Sequence, residues 1–165
     1  VLTLKGFHKR GVPLLEFSPS GEQLISVGLD DDHSLALYRV EDGTLLATAK
    51  GDRNRVLDVE FSPDGASVVT VGVKHVRFWH VGGRTLQSKK GIFGKAAKLQ
   101  PVLCVAFARS DVVTGQKDGS LYRWTGRTCS EVKKGAHAGG VNALYTTDGG
   151  GGLVSGGRDG LVKVS

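Results

Sequence analysis

Ser155, His137 and Asp159 supply the residue types of a hydroxyl nucleophile, its base and the acid that orients the base. No nucleophile elbow surrounds Ser155 and no activated pair follows from the spacing, so hydrolysis has no support. Gly91-Ile92-Phe93-Gly94-Lys95-Ala96 has the look of a phosphate loop, but that loop needs four residues between its glycines and a Ser or Thr after the lysine. Both conditions fail. Asp30-Asp31-Asp32-His33 offers hard oxygen ligands, yet consecutive residues on a hairpin tip diverge and lack the Gly-turned spacing of a calcium loop. The run Gly149 to Gly152 lacks the strand-to-helix setting of a dinucleotide fingerprint and reads as a turn. Cys104 and Cys129 sit in different hydrophobic patterns without metal-ligand spacing, which fits a reducing compartment. The expectation is no enzyme, no metal and no cofactor. What remains is charge.

The net charge is +6, and its placement is uneven. Residues 1–64 carry −4 and residues 111–165 carry +2, whereas residues 65–110 hold eight basic side chains and no acidic one. Such a block favours an acidic partner surface through a salt-screened field. Most of it falls in the longest link of the chain, 22 residues between Trp79 and Val102 against 17 and 16 in the corresponding links. Lys89, Lys90, Lys95 and Lys98 are the candidate contacts and Phe93 the candidate anchor. In the plainer reading the link is a solvated loop whose Ile92 and Phe93 pack back on the protein. Nucleic acid is disfavoured as the acidic polymer: the block holds only Phe78, Trp79 and Phe93 as aromatics, and two of these fall in a strand expected to be packed.

The elements that position these residues come from a repeat. At 165 residues, with 39% hydrophobic and 23% charged side chains, the chain has the makings of one globular unit. Its 25 glycines follow no triplet period and imply many tight turns. No apolar run approaches the ~18 residues of a membrane-spanning helix, and no membrane partner is expected. Phe17-Ser18-Pro19-Ser20-Gly21 returns as Phe61-Ser62-Pro63-Asp64-Gly65, an offset of 44. Val27-Gly28 aligns with Val71-Gly72, Thr114-Gly115 and Ser155-Gly156, with glycine offsets of 44, 43 and 41. Tyr38, Trp79 and Trp124 step by 41 and 45. Inside each unit, short alternation is bounded by turn residues, as in Leu57 to Phe61, which predicts strands and almost no helix. Asp118-Gly119 and Asp159-Gly160 read as two-residue hairpin turns with positive φ.

Four-stranded units of this length predict an all-β propeller with blades near residues 6–49, 50–90, 91–134 and 135–165. Val1 to Lys5 reads as the last strand of a preceding blade, and the fourth unit has three strands, for sixteen in all. The chain begins at Val1 and has no Met, as an excerpt of a longer protein would, and since four blades is the small limit of a closed propeller a fragment of a larger ring is expected.

These residues resemble the WD-repeat family. Gly135-Ala136-His137, Ser155 to Gly160, and Asp118-Gly119 with Trp124 are similar to its Gly-His lead, second-strand Ser, turn Asp and third-strand Trp. The resemblance implies that Asp118, Trp124, His137, Ser155 and Asp159 form a structural hydrogen-bond network inside blades. Unit one has Tyr38 for the Trp, unit two lacks the turn Asp, and unit four has Ser165 in the Trp position. A narrower resemblance lies in Thr70 to Trp79 and Lys89 to Lys95, continued by Val102 to Phe107 and Thr114-Gly115, which look like the echinoderm microtubule-associated protein-like family. In that family two tandem propellers form one tubulin-binding unit, and this segment would fall in the first. The resemblance implies a non-catalytic segment, tubulin or microtubules as partner, and a place in the cytoplasm on microtubule arrays such as those of a cilium or spindle. The alternative is a general WD-repeat scaffold for protein complexes without polymer affinity.

Overall fold

The computed structural model describes residues 1–165, with Asp148 described by its backbone alone. Fifteen strands form four antiparallel meanders. The first comprises β1 (Leu14–Phe17), β2 (Gln23–Val27), β3 (Leu35–Arg39) and β4 (Leu45–Ala49). The second holds β5 (Val56–Phe61), β6 (Ser67–Gly72), β7 (His75–Gly82) and β8 (Thr85–Lys90). The third holds β9 (Val102–Ala108), β10 (Asp111–Gln116), β11 (Leu121–Thr125) and β12 (Thr128–Lys133). The fourth has β13 (Val141–Thr146), β14 (Leu153–Gly157) and β15 (Val162–Val164). The only helical element among the described residues is a 3-10 turn at Asp148–Gly150.

The sheets stand side by side as propeller blades. β1 packs on β5, β5 on β9 and β9 on β13, so the first strand of each blade is innermost. Apolar clusters fill the three seams: Ile25, Leu37 and Trp79 in the first, Val69, Val76 and Trp124 in the second, Cys104, Val113 and Val141 in the third. The β-branched and aromatic residues of each strand meet across a seam, which is why the repeat buries a continuous core. At the two ends of the arc apolar side chains stay open: Phe17 is 58% exposed and Val162 73%. The arc is an incomplete ring.

Three expectations need correction. Residues 1–5 join no sheet, so there are fifteen strands and not sixteen. The alternation there places Leu2 and Leu4 against Gly43 in the turn after β3, and not in a ladder. The Asp-Gly turns are not two-residue turns either. Gln116 and Ser120 close a three-residue loop in which only Gly119 has positive φ, at 89°, because the Asp118 carboxylate must accept the Ser120 N–H at 2.9 Å. Finally, the strand register makes Ser26, Thr70, Thr114 and Ser155 equivalent, which shifts the glycine alignment by one residue in units three and four.

Candidate functional site

The fourth blade has the fullest polar network. His137, 2% exposed, is held between Asp159 Oδ1 and Ser155 Oγ, each 2.9 Å from a ring nitrogen. The carboxylate fixes the ring, so Nδ1–H donates to Asp159 and Nε2 accepts from the Ser155 hydroxyl. Asp159 also accepts the backbone N–H of Ala138 and Leu161 at 3.0 and 3.1 Å. The His137 hydrogen bond, with these N–H groups, lowers the Asp159 pKa to about 2. Gly157 is required here, since a Cβ would collide with the His137 ring. Ser155 is 3% exposed and bonded inward, so the three residues tie the loop before β13 to β14 and to the turn after it.

In the third blade Trp124 Nε1 donates to Thr114 Oγ1 at 2.9 Å, and Asp118 caps its own turn. Gln100 takes the histidine's part: its Oε1 accepts the Asp118 N–H at 2.9 Å and its Nε2 donates to the Tyr122 hydroxyl at 3.1 Å. Burial opposes ionisation of Asp118, but the bonds from Gln100 and Ser120 outweigh it and its pKa lies below the ordinary value.

Two further networks are not visible as dipeptides. His8 Nε2 lies 2.6 Å from Ser26 Oγ in the first blade. The signal for it is spacing: His8 precedes Ser26 by 18 residues, as His137 precedes Ser155. In the second blade the same spacing back from Thr70 reaches Asp52, an acid where the others have a base. Asp52 bonds Arg77 Nε at 3.0 Å and stands 3.4 Å from His75 Nδ1. Burial holds the His75 pKa down to about 4, against the pull of Asp52, so the ring is neutral near pH 7.

The basic block divides by location. Lys89 and Lys90 end β8, the outer strand of blade two, and Lys95 and Lys98 follow in the link; all four are exposed. Arg77 belongs to Asp52 and is withdrawn from the surface charge. The link then attaches to the third blade: Ile92 N donates to Arg127 O at 2.8 Å, Cys129 N to Ile92 O at 2.9 Å, and Arg127 Nη1 to Lys90 O at 3.0 Å. Ile92 thus forms a parallel bridge to Thr128 beside β12. Phe93 is not a free anchor. Its ring is half-buried, edge-on to Trp124 with centroids 5.0 Å apart, because the Ile92 bridge turns it into the second seam. The exposed large apolar residues of the link are Ile92, at 44%, and Leu99, at 54%.

The acidic tip of the first blade scatters its carboxylates. Asp30 accepts from Ser34, Asp31 pairs with Arg10 at 2.9 Å and Asp32 with Lys50 at 3.4 Å. The inner face holds the opposite arrangement, where Glu16 of β1 and Asp58 and Glu60 of β5 converge. Burial, reinforced by those two carboxylates, raises the Glu60 pKa to about 8. Asp58 Oδ2 accepts the Val105 N–H at 2.9 Å and ties blade two to blade three.

A family model described as the echinoderm microtubule-associated protein first beta-propeller matches residues 1–165, the whole chain. The chain belongs to this family. Its relatives include echinoderm microtubule-associated protein-like 1 of Rattus norvegicus, 35% identical over 160 residues, which are 93% of this chain and 20% of the relative. Echinoderm microtubule-associated protein-like 2 of Mus musculus is 36% identical over 93% of this chain and 25% of its own length. The 77 kDa echinoderm microtubule-associated protein of Lytechinus variegatus is 35% identical over 93% and 24%. The chain therefore spans a fifth to a quarter of these relatives. Among solved structures, the computationally designed Ika4 protein superposes with a TM-score of 0.74 at 25% identity, over 99% of this chain and 94% of that one. U3-55K superposes with a TM-score of 0.78 at 22% identity, over 98% of this chain and 50% of that one, a likeness of fold alone.

Proposed function

We propose that this chain is a non-catalytic propeller segment that contributes the basic contact of a microtubule-associated protein with tubulin. The contact is Lys89, Lys90, Lys95 and Lys98, exposed along the outer strand of blade two and the link to blade three. The single observation that carries this reading is an acid-free stretch of 46 residues in which Lys89, Lys90, Lys95 and Lys98 are all exposed, while the one arginine drawn inward, Arg77, is matched by Asp52. Surface lysines of one sign attract an acidic polymer and accelerate its encounter. The blade networks of His8, Asp52, Asp118, Trp124, His137, Ser155 and Asp159 support the rim and touch no ligand. Ile92 and Leu99, and not Phe93, are the exposed apolar neighbours of the contact. On this reading the protein works in the cytoplasm, on the microtubule cytoskeleton.

The test is co-sedimentation of the chain with microtubules across a salt series. Binding that falls steeply between low and moderate salt agrees with the proposal. Absence of binding at low salt would favour a WD-repeat scaffold for other proteins.

A further inference from the structure

Strand register makes Ala36, Arg77, Tyr122 and Lys163 equivalent, each opposite the second-strand residue Ser26, Thr70, Thr114 or Ser155. In three of the four blades this side chain reaches back to the loop that leads into its own blade. Arg77 reaches 25 residues to the Asp52 carboxylate at 3.0 Å, and Lys163 reaches 27 to the Ala136 carbonyl. Both are cations that take an acceptor from the leading loop.

Blade three has a phenol there instead. Tyr122 is 2% exposed, and its hydroxyl meets Lys98, 24 residues back: it accepts the Lys98 N–H at 3.1 Å and donates to the Lys98 carbonyl at 3.2 Å. Gln100 Nε2 donates to the same oxygen at 3.1 Å, so the hydroxyl uses its donor and both acceptor sites. The backbone of Lys98 is clamped at both of its polar groups while its side chain stays exposed. The carboxylate that feels the Lys98 charge is Asp118, which is committed to the Ser120 N–H at 2.9 Å. A cation in place of Tyr122 would repel the ammonium, whereas the neutral phenol holds the backbone and leaves the charge to the surface.

We propose that Tyr122 is a positioning residue for the lysine contact, its hydroxyl fixing the backbone of Lys98 so that the ammonium meets an acidic partner at a set place. This role rests on the reading of Lys89, Lys90, Lys95 and Lys98 as that contact, and adds to it a buried group that touches no partner. A side chain whose backbone is ordered beforehand loses less freedom when it binds. The other end of the link is fastened separately, by the Ile92 bridge and by Arg127 on the Lys90 carbonyl, so loss of the hydroxyl bears on Lys98 above all.

The test is low-salt co-sedimentation of Tyr122→Phe with microtubules, a variant that keeps the ring and every charge and removes only the hydroxyl. The expected result is binding about two- to tenfold weaker than that of the parent chain. Ser18→Ala, which removes a buried hydroxyl from blade one where it accepts the Gln23 N–H at 3.0 Å, should bind as the parent does. In a Lys98→Gln background the Tyr122→Phe change should weaken binding no further, because a residue that acts through Lys98 has nothing left to position, whereas a merely structural effect would persist. If Tyr122→Phe does not fold, Gln100→Leu removes a partner of the same hydroxyl, and its weakening should likewise vanish with Lys98→Gln. Parent-like binding by Tyr122→Phe, equal weakening by Ser18→Ala, or an undiminished loss in the Lys98→Gln background would overturn the proposal and leave the lysine contact standing. Absence of binding by the parent chain, or full binding after replacement of all four lysines by Gln, would overturn both.

Discussion

Asp52 occupies in blade two the place that His8 holds in blade one, and His75 faces it at 3.4 Å with the acid and base exchanged. The exchange keeps a pair between the leading loop and the β6–β7 hairpin although that hairpin has only Val73 and Lys74 in its turn. It also brings Arg77 inward, which a histidine in the leading loop would not balance. Asp52→Ala should therefore destabilise the fold by about 2–3 kcal/mol, since it strands Arg77 in a partly buried site. Urea unfolding followed by Trp fluorescence measures this.

His75 gives the same pair a pH signature. Its folded pKa of about 4 lies below the model-compound value of 6.5, so the unfolded chain binds the extra proton between these values. This contribution to stability is complete above pH 6.5, declines as pH falls and is lost below pH 4. His75→Phe should flatten that part of the stability profile in thermal melts from pH 4 to 7.

Glu60 acts in the other direction. Its carboxyl is raised from 4.5 to about 8 by burial and by Glu16 and Asp58. The folded state holds a proton that the unfolded state has released, so stability declines as pH rises from 4.5 to 8 and the penalty is full above that. Glu60→Gln should raise the melting temperature by a few degrees at pH 9 and change little at pH 4. Equal effects at both pH values would reject the convergence of the three carboxylates.

Phe93 and Ile92 separate packing from contact. Phe93→Ala should cost about 2–3 kcal/mol because it opens a gap beside Trp124. Ile92→Ser should stay within about 0.5 kcal/mol, as its side chain is exposed and its bridge to Thr128 is made by backbone. Likewise His137→Ala should cost about 1–3 kcal/mol by leaving Ser155 buried without its partner, with Asp159→Ala destabilising in the same direction. Chemical denaturation of each variant checks these values.

The repeat, the strand alternation, the Pro-Asp-Gly turn at Gly65 and the Trp positions were legible because they depend on local spacing and backbone chemistry. His8 and Asp52 were not, since their likeness to His137 is a matter of distance from the second-strand hydroxyl and not of neighbouring residues. Val1 to Lys5 carried a strand's alternation but joined no edge, which periodicity alone does not reveal. The raised pKa of Glu60 comes from its burial and then from Glu16, 44 residues away on the next inner strand. Phe93 reads from sequence as a candidate anchor or as a ring packed back on the blade, and the attachment of Ile92 to β12 decides its direction.

If the outer lysines carry a microtubule contact, their neutralisation should weaken binding without disturbing the fold. Replacement of Lys89, Lys90, Lys95 and Lys98 by Gln should leave the fold unchanged, because all four are exposed. A control with Lys5 and Lys9 replaced by Gln removes exposed charge from outside the acid-free block. In low-salt co-sedimentation with microtubules, the four-lysine variant should bind much more weakly than the parent chain and the control nearly as well. Equal binding by the four-lysine variant and the parent chain would contradict this and move the contact elsewhere.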